Sequence, residues 1–403
     1  MKEPLKVIYI NHYGVVGGAQ RSMLELINAF PQNAVAPHVI TPGGRITNFL
    51  KQMGIPYTLT PGGVSKFDHS KLGYYRGFRW LILLREILFI FPTVYSFFRA
   101  RTEITKADVV HVNEITCLLP IYIIKKFFHK PVITHARVVL TTQGGKTRMG
   151  LVKRVLLNYT DGIIAIDKTV AASLPVTTNV NIVHNSFTKS NDSIDDNAFA
   201  KKLSTLPRRK LNIGFIGTIQ HNKGIFDLLK TALLCKRHNV DVNFIIAGNK
   251  EVSHSSTRIK MNKDADDEFH KFIADNNLHT YVHPLGFSYD TAAFFNYIDV
   301  ICFPSYYDAP GRPVFEAAFF SKPSIVALTT NTFDDTFIDG KTGIKVNAGD
   351  PVSIYNAIMR FFNNPDVIRR MGDEAYTLAC RNFEPSANAL KVLNIYQSVS
   401  SKN

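Results

Sequence analysis

The sequence predicts two doubly wound α/β domains in tandem, and three observations carry that reading. Short apolar runs of strand length alternate with longer helical patterns along most of the chain. This alternation starts afresh twice, at Val7 and at Asn212. Between the two series lies Thr188–Arg209, a polar stretch rich in Ser, Asn, Asp and Lys, with the composition of a linker. Strands that alternate with helices form parallel sheets through right-handed crossovers, and 403 residues leave room for two such domains.

In chain order, Val7–Ile10 reads as the first strand. A glycine turn follows, then an amphipathic helix over Ala19–Phe30. Ala36–Thr41, Val109–Asn113, Val132–His135, Ile163–Ile166 and Ile182–His184 read as further strands of the first half. In the second half the strands are Asn212–Ile216, Val242–Ala247, Val282–Leu285, Val300–Phe303, Ser324–Ala327 and Gly343–Val346. From about Glu384 the chain reads as a helix, with Ala387, Leu390, Leu393, Ile395 and Tyr396 as its apolar stripe and Pro385 at its entry. The domains so read are 1–187 and 210–384, joined by a linker at 188–209, with about 385–403 as the closing helix.

Composition bounds the function. Apolar residues make up 45% and charged residues 20%, which fits a globular chain with an ample core and excludes disordered or collagen-like classes. Val7–Ile10 is too short an apolar run for a secretory signal, so a cytoplasmic protein is expected. Cys117, Cys235, Cys302 and Cys380 lie far apart with no CxxC pair, which points to buried thiols rather than a zinc site or a disulfide framework. The formal net charge is +15 and is unevenly placed. Residues 1–187 hold 22 Lys and Arg against 9 Asp and Glu, whereas residues 188–403 are nearly balanced at 25 against 23. A basic first half suits an anionic partner: a lipid surface, a pyrophosphate-linked lipid or a nucleic acid.

Trp80–Phe98 is about long enough to span a bilayer, but Arg85, Glu86 and Pro92 interrupt it. It reads instead as a helical hairpin kinked near Pro92, either in the core or on a membrane surface.

Three segments could carry chemistry. Gly14-Val15-Val16-Gly17-Gly18-Ala19-Gln20 joins the first strand to the first helix. Its glycines would let backbone approach a ligand, and the helix start offers unpaired N–H groups to a phosphate; the same segment would also serve as a plain tight turn. Gly217-Thr218-Ile219-Gln220-His221-Asn222-Lys223-Gly224 follows the first strand of the second half, with Lys223 at a helix entrance where an ammonium suits a diphosphate. Asp308-Ala309-Pro310-Gly311-Arg312-Pro313-Val314-Phe315-Glu316 follows the strand Val300–Phe303 and ends on a helix. A loop carboxylate and a helix carboxylate at that spacing could grip the hydroxyls of two rings of one ligand.

Taken in order, GGAQ, NKG and DAPGRPVFE resemble the signatures of the retaining family 4 glycosyltransferases, and SKPSIVA and DGKTGIKV resemble two later stretches of the same family. The resemblance implies the GT-B architecture: two Rossmann-like doubly wound domains facing each other across a cleft, with the last helix packed back on the first. It implies a glycosyltransferase of hexosyltransferase type that moves a sugar, with retention, from a nucleotide-sugar donor such as a UDP- or GDP-sugar. No cofactor and no obligatory metal are expected. Gly17 and Gly18 would line the diphosphate, and Lys223 would bind it and stabilise the leaving group. Asp308 would hold a hydroxyl of the sugar and Glu316 the ribose. Gly311 and Arg312 would lie beside the phosphates or sugar, and His135, in VITHARV, would approach the reacting carbon.

Three departures from the family pattern stand out. Thr218 occupies a place where the family usually has Arg, leaving Arg137 or Arg312 as substitutes; the first acidic residue is Asp308 rather than Glu; and Pro310 and Pro313 remove backbone donors. Asp264-Ala265-Asp266 has the DxD form of metal-using transferases but sits in a charged helix start, and Gly145-Lys146-Thr147 lacks the first glycine of a phosphate loop. His111 reads as a structural strand residue.

The acceptor expected is a saccharide or lipid-linked saccharide of cell-envelope polysaccharide synthesis, bound by the basic first domain. Tyr74–Phe98 with Arg76, Arg79, Arg99 and Arg101 would meet an anionic membrane surface at the inner face of the cell membrane. The competing classes are an inactive glycosyltransferase-like scaffold and a polyanion- or nucleic-acid-binding protein. No helix-turn-helix, zinc finger or RNA-stacking motif supports the latter, and no nucleic-acid partner is expected.

Overall fold

The structure, a computed structural model, describes residues 3–61, 63–67, 80–140, 146–189, 197–248, 256–286, 291–330 and 333–401. The chain divides into two compact units, residues 1–188 with 383–403, and residues 189–382.

Unit 1 runs β1 (Leu5–Ile10), α1 (Gly18–Asn28), β2 (Val35–Thr41), α2 (Arg45–Gln52), β3 (Tyr57–Leu59), α3 (Trp80–Leu88), α4 (Ile90–Arg99), α5 (Arg101–Lys106), β4 (Val109–Val112), α6 (Leu118–Ile123), β5 (Val132–Ala136), α7 (Lys146–Tyr159), β6 (Gly162–Ala165), α8 (Lys168–Ser173) and β7 (Val180–Ile182). Unit 2 runs α9 (Asn197–Ser204), β8 (Leu211–Ile216), α10 (Ile225–Arg237), β9 (Val242–Ala247), α11 (Ser256–Asp275), β10 (Val282–Gly286), α12 (Ala292–Tyr297), β11 (Val300–Phe303), α13 (Arg312–Ala318), β12 (Ser324–Ala327), β13 (Gly343–Val346), α14 (Pro351–Asn363) and α15 (Pro365–Asn382). The last helix, α16 (Pro385–Ser400), belongs to unit 1.

Both sheets are parallel. Their strand orders are β3-β2-β1-β4-β5-β6-β7 and β10-β9-β8-β11-β12-β13. In each, successive crossovers run outward from a central strand and then reverse, so a switch point lies between β1 and β4 and another between β8 and β11. Ligands of doubly wound sheets bind beyond the carboxyl ends of the strands at such points. The loops placed there are 11–17 and 113–117 in unit 1, and 217–224 and 304–311 in unit 2.

The strands are almost wholly apolar because both faces are covered. In unit 1, Val7, Tyr9, Val109 and Ile133 face a cluster closed by Met23 of α1 and by Ala389, Val392 and Tyr396 of α16. Ile8, Ile10, Val110 and Val112 face the other layer, with Phe97 and Ile104. In unit 2, Phe215, Phe244 and Val300 pack against α10 and α14 through Leu228, Ala232, Ile354 and Phe361.

Four features differ from the sequence expectation. The edge strand β3 went unread because three residues carry no usable periodicity. Strand β7 lies at Val180–Ile182 rather than Ile182–His184. The stretch read as a linker contains α9, which buries Phe199 and Leu203 one helical turn apart. The hairpin read as kinked near Pro92 breaks at Phe89, three residues earlier, and Pro92 sits in the first turn of α4, where a proline costs no hydrogen bond. Arg76, Arg79 and the rest of Tyr74–Arg79 lie outside the described residues, as does Gly145. Among the described residues no helix is long and apolar enough to cross a membrane.

Candidate functional site

In unit 1 the glycine loop after β1 separates into two parts. Gly14 is fixed by packing: a Cβ there would lie 2.1 Å from the carbonyl oxygen of Gly43, and its own carbonyl accepts the Ile46 N–H at 3.1 Å. Gly17 and Gly18 have no such reason to be glycine. A Cβ on Gly18 meets nothing within 4 Å, and one on Gly17 meets only the Gln20 side chain at 3.4 Å. Gly17 has φ −97°, which any residue adopts. The surrounding protein therefore leaves this space open beside the N-terminus of α1. Gln20 holds the turn by accepting the Gly17 N–H at 3.3 Å and donating to Asn11 Oδ1 at 3.0 Å.

His135, at the end of β5, joins this loop through a buried polar network. Arg137 donates from Nη2 to His135 Nδ1 at 3.1 Å, from Nε to Asn113 Oδ1 at 3.0 Å and from Nη1 to Asn185 Oδ1 at 2.6 Å. Asn113 in turn donates to the carbonyl of Ala19 at 3.4 Å, which ties the network to the glycine loop. On its other side His135 Nδ1 lies 3.2 Å from Nε2 of His111, whose Nδ1 bonds the Tyr396 hydroxyl. His135 is only 4% exposed, and its Nε2 has no hydrogen-bond partner among the described residues. Burial, reinforced by the Arg137 charge, pushes His111 down to about 3 and holds His135 well below the usual imidazole range. Both rings are therefore neutral at physiological pH.

Glu114, beside Asn113, is buried as well. Burial pushes its carboxyl up to about 7 against the opposing charge of Arg137.

In unit 2 the loops after β8 and β11 interlock. Gly224 has φ +72°, and a Cβ there would lie 1.9 Å from the carbonyl oxygen of Pro304, so only glycine fits. Asn222 accepts the Tyr306 N–H at 3.0 Å and donates from its side chain to Tyr307 at 2.9 Å. Tyr306 donates to Asp227 Oδ2 at 2.7 Å, a bond that pushes its phenol up to about 12. Lys223, half-buried at the end of a single tight turn, lies with Nζ 5.2 Å from the Tyr307 ring centre.

The acidic segment is placed as follows. Glu316 is 4% exposed and accepts a charge-assisted hydrogen bond from Nε of Arg312, one turn earlier on α13. Asp308 turns its carboxylate to the next strand's loop, accepting the N–H groups of Thr329 at 2.6 Å and Thr330 at 2.7 Å as well as the Thr330 hydroxyl. Gly311 is explained by the protein itself: a Cβ would lie 2.2 Å from the Phe303 ring. Arg137 and Arg312, the two substitutes for the arginine replaced by Thr218, are thus both held in side-chain networks. Asp266 of the DxD-like segment lies inside α11, 4.0 Å from His270. Among the described residues no group of three or more His, Cys, Asp or Glu is arranged to hold a metal ion.

Two family models match the chain side by side. Glycosyltransferase Family 4 covers residues 16–185, and Glycosyl transferases group 1 covers residues 196–378. The chain is related to the GT-B glycosyltransferases. It is 24% identical over 179 residues to the capsular polysaccharide biosynthesis glycosyltransferase CapM of Staphylococcus aureus, which is 44% of each chain. It is 23% identical over 268 residues to the lipopolysaccharide core biosynthesis mannosyltransferase LpsB of Rhizobium meliloti, covering 65% of this chain and 72% of that one. The match to CapM thus spans less than half of that relative's length. Among solved structures, HepE of Anabaena, crystallised with UDP-glucose, superposes with a TM-score of 0.74 at 17% identity, covering 98% of this chain and 100% of HepE. A glycosyltransferase from Rickettsia africae superposes at 0.73 and 15% identity over the whole of both chains. These likenesses establish the fold of this relative as two α/β Rossmann-like sheets of the GT-B type. Three residues of its network, Tyr9, His111 and Tyr396, carried no motif, and only their shared burial and hydrogen bonding reveal them.

Proposed function

We propose that the protein is a retaining glycosyltransferase. It moves a hexosyl group from a UDP- or GDP-sugar to a saccharide or lipid-linked saccharide in the synthesis of a cell-envelope polysaccharide. The observation that carries this reading is the open space at Gly17 and Gly18, which neither backbone strain nor internal packing requires. Small residues kept beside the start of an eleven-residue helix suit a diphosphate that must approach backbone N–H groups. The relatives support the same chemistry by their names: capsular polysaccharide and lipopolysaccharide synthesis, and a structure with UDP-glucose.

The roles divide between the units. In unit 2, Glu316 takes the ribose hydroxyls and Lys223 the diphosphate. In unit 1, His135 offers an N–H to the sugar. As the anomeric C–O bond breaks, its electron pair passes to the β-phosphate oxygen. The acceptor hydroxyl forms the new bond on the same face and gives its proton to that phosphate oxygen. Charge builds on the leaving diphosphate, where Lys223 stabilises it. The step needs no metal. A binding screen over UDP-, GDP- and ADP-sugars tests the reading: one donor is expected to bind and to be slowly hydrolysed without acceptor. No binding across the panel would leave the scaffold alternative instead.

The acceptor side is proposed to work at an anionic membrane surface. On α4 the residues turned inward are Thr93, Ser96 and Phe97, whereas Phe91, Val94, Tyr95 and Phe98 are exposed, Phe91 at 73% and Phe98 at 62%. Ile87 and Leu88 of α3 are exposed beside them. Apart from Phe97, this helix turns hydroxyls inward and large apolar groups outward, against the usual pattern. Arg99 and Arg101 are exposed at its end, with Arg101 4.5 Å from the Phe98 ring, and basic residues at an anionic surface contribute about 1 kcal/mol each. The protein should float with phosphatidylglycerol vesicles at low salt, and the Phe91→Asp/Phe98→Asp double variant should stay in solution while still binding donor. Equal flotation of both proteins would refute the surface assignment.

A further inference from the structure

We propose that Arg137 is the positioning residue of His135: its guanidinium fixes the ring proton on Nε2, so that the imidazole presents an N–H rather than a lone pair to a ligand. For what that N–H touches, the proposal rests on the sugar-transfer reading above. The rest of the buried network leaves the proton undecided. The Tyr9 and Tyr396 hydroxyls lie 3.1 Å apart, and each can donate or accept. Tyr396 bonds Nδ1 of His111, and Nε2 of His111 lies 3.2 Å from Nδ1 of His135. Each bond of this chain can be made in either direction. Donations running from Tyr9 towards His135 put the His135 proton on Nε2, and donations running the other way put it on Nδ1. A guanidinium has no such choice. Arg137 only donates, and Nη2 lies 3.1 Å from His135 Nδ1, which makes that nitrogen an acceptor. Two lone pairs facing each other at 3.2 Å would repel, so His111 then carries its proton on Nε2. The whole chain takes the direction set at its Arg137 end.

The fork of Arg137 is itself held in place. The residue stands one position past the end of β5 and two after His135. Nε donates to Asn113 Oδ1 at 3.0 Å and Nη1 to Asn185 Oδ1 at 2.6 Å, so Asn113, Asn185 and His135 hold the guanidinium together. Arg137 is 9% exposed, which leaves the group little room to swing away from the ring. Asn113 also donates to the Ala19 carbonyl, so the same fork ties the imidazole to the loop of Gly17 and Gly18. A hydrogen bond from a charged donor is strong enough to hold the other tautomer at about a tenth of the molecules or less. The tautomer so fixed leaves His135 Nε2–H buried, with no acceptor among the described residues. A buried N–H without a partner carries a desolvation cost, which an oxygen of the ligand would relieve. In the other tautomer His135 would offer a lone pair there, and an incoming carbonyl, ether or phosphate oxygen would be repelled.

The test is nitrogen spectroscopy of the full chain with labelled imidazoles and no donor present, with His135→Gln used to assign the signal. The wild type is expected to show a pyridine-type Nδ1 and a pyrrole-type Nε2 for His135. Arg137→Met removes the group that cannot accept, and should give shifts between the two types at both nitrogens, the mark of mixed tautomers. Turnover should fall in step with the Nε2–H population lost, by about two- to tenfold, a link that a merely structural arginine would not produce. Tyr396→Phe should leave the His135 signal as in the wild type, because the guanidinium stays in place. An unchanged His135 signal in a folded Arg137→Met overturns the proposal, and so does a mixed one in a folded Tyr396→Phe. If Arg137→Met does not fold, the wild-type spectrum still decides, because a doubly protonated His135 or one protonated on Nδ1 at neutral pH overturns it. A mixed signal in an Arg137→Met protein whose wild type turns over no nucleotide sugar would uphold the positioning and sink the transfer reading.

Discussion

Lys223→Ala should slow sugar transfer by about 10²- to 10³-fold, the usual loss when one group that stabilises developing charge is removed. In the proposed reaction the charge appears on the diphosphate as the anomeric bond opens, so the effect is expected mainly in kcat. Lys223 sits at the end of a tight turn anchored on both sides, by Gly224 against Pro304 and by Asn222 against Tyr306. Its side chain is half-buried, with Nζ 5.2 Å from the Tyr307 ring centre, so a thermal melt run beside the kinetics shows whether the fold is kept. Lys223→Arg keeps the charge but spreads it over a longer planar fork, and should recover only part of the rate. Single-turnover rates at saturating donor separate this from lost affinity. A folded Lys223→Ala with wild-type kcat would remove Lys223 from the chemistry.

The turn chemistry of both loops was legible because strand, glycine and helix start follow one another within a few residues. The GGAQ and NKG segments fall at the two switch points for that reason. What the letters did not carry was which glycines matter to a ligand. Gly14 and Gly224 are fixed by neighbouring carbonyls and Gly311 by a ring, whereas in the loop after β1 neither Gly17 nor Gly18 is required by its neighbours. The His135 network was illegible for a different reason: His111 meets Tyr396 across 285 residues of sequence, and neither lies in a motif. His111, which reads as a strand residue, lies between the Tyr396 hydroxyl and the His135 ring. Periodicity identified the helical hairpin at Trp80–Phe98 without saying which face was buried, since its apolar residues run all round. That answer needed Thr93, whose hydroxyl accepts the Ser65 N–H at 2.7 Å, and Ser96, which is fully buried.

Glu316 is the position where removing one side chain should cost most, because two effects coincide. Its carboxylate and the Arg312 guanidinium are both largely buried and bonded to each other. Breaking such a pair from one side leaves an uncompensated charge, at a cost of about 3–5 kcal/mol. Glu316→Ala should therefore lower the melting temperature sharply as well as weaken nucleotide binding, and loss of activity alone would not separate the two. Glu316→Gln separates them. The amide keeps the shape and still accepts the Arg312 N–H, so most of the stability should return. A ribose hydroxyl, however, loses an ionised acceptor, and hydrogen bonds to charged groups contribute about 1.5–3 kcal/mol, or roughly a 10- to 150-fold rise in donor Kd. Arg312→Ala completes the comparison by giving the same destabilisation while the carboxylate remains. Should titration calorimetry find Glu316→Gln binding donor as tightly as the wild type, the Arg312–Glu316 pair would be a brace for α13, and the ribose would have to be held elsewhere.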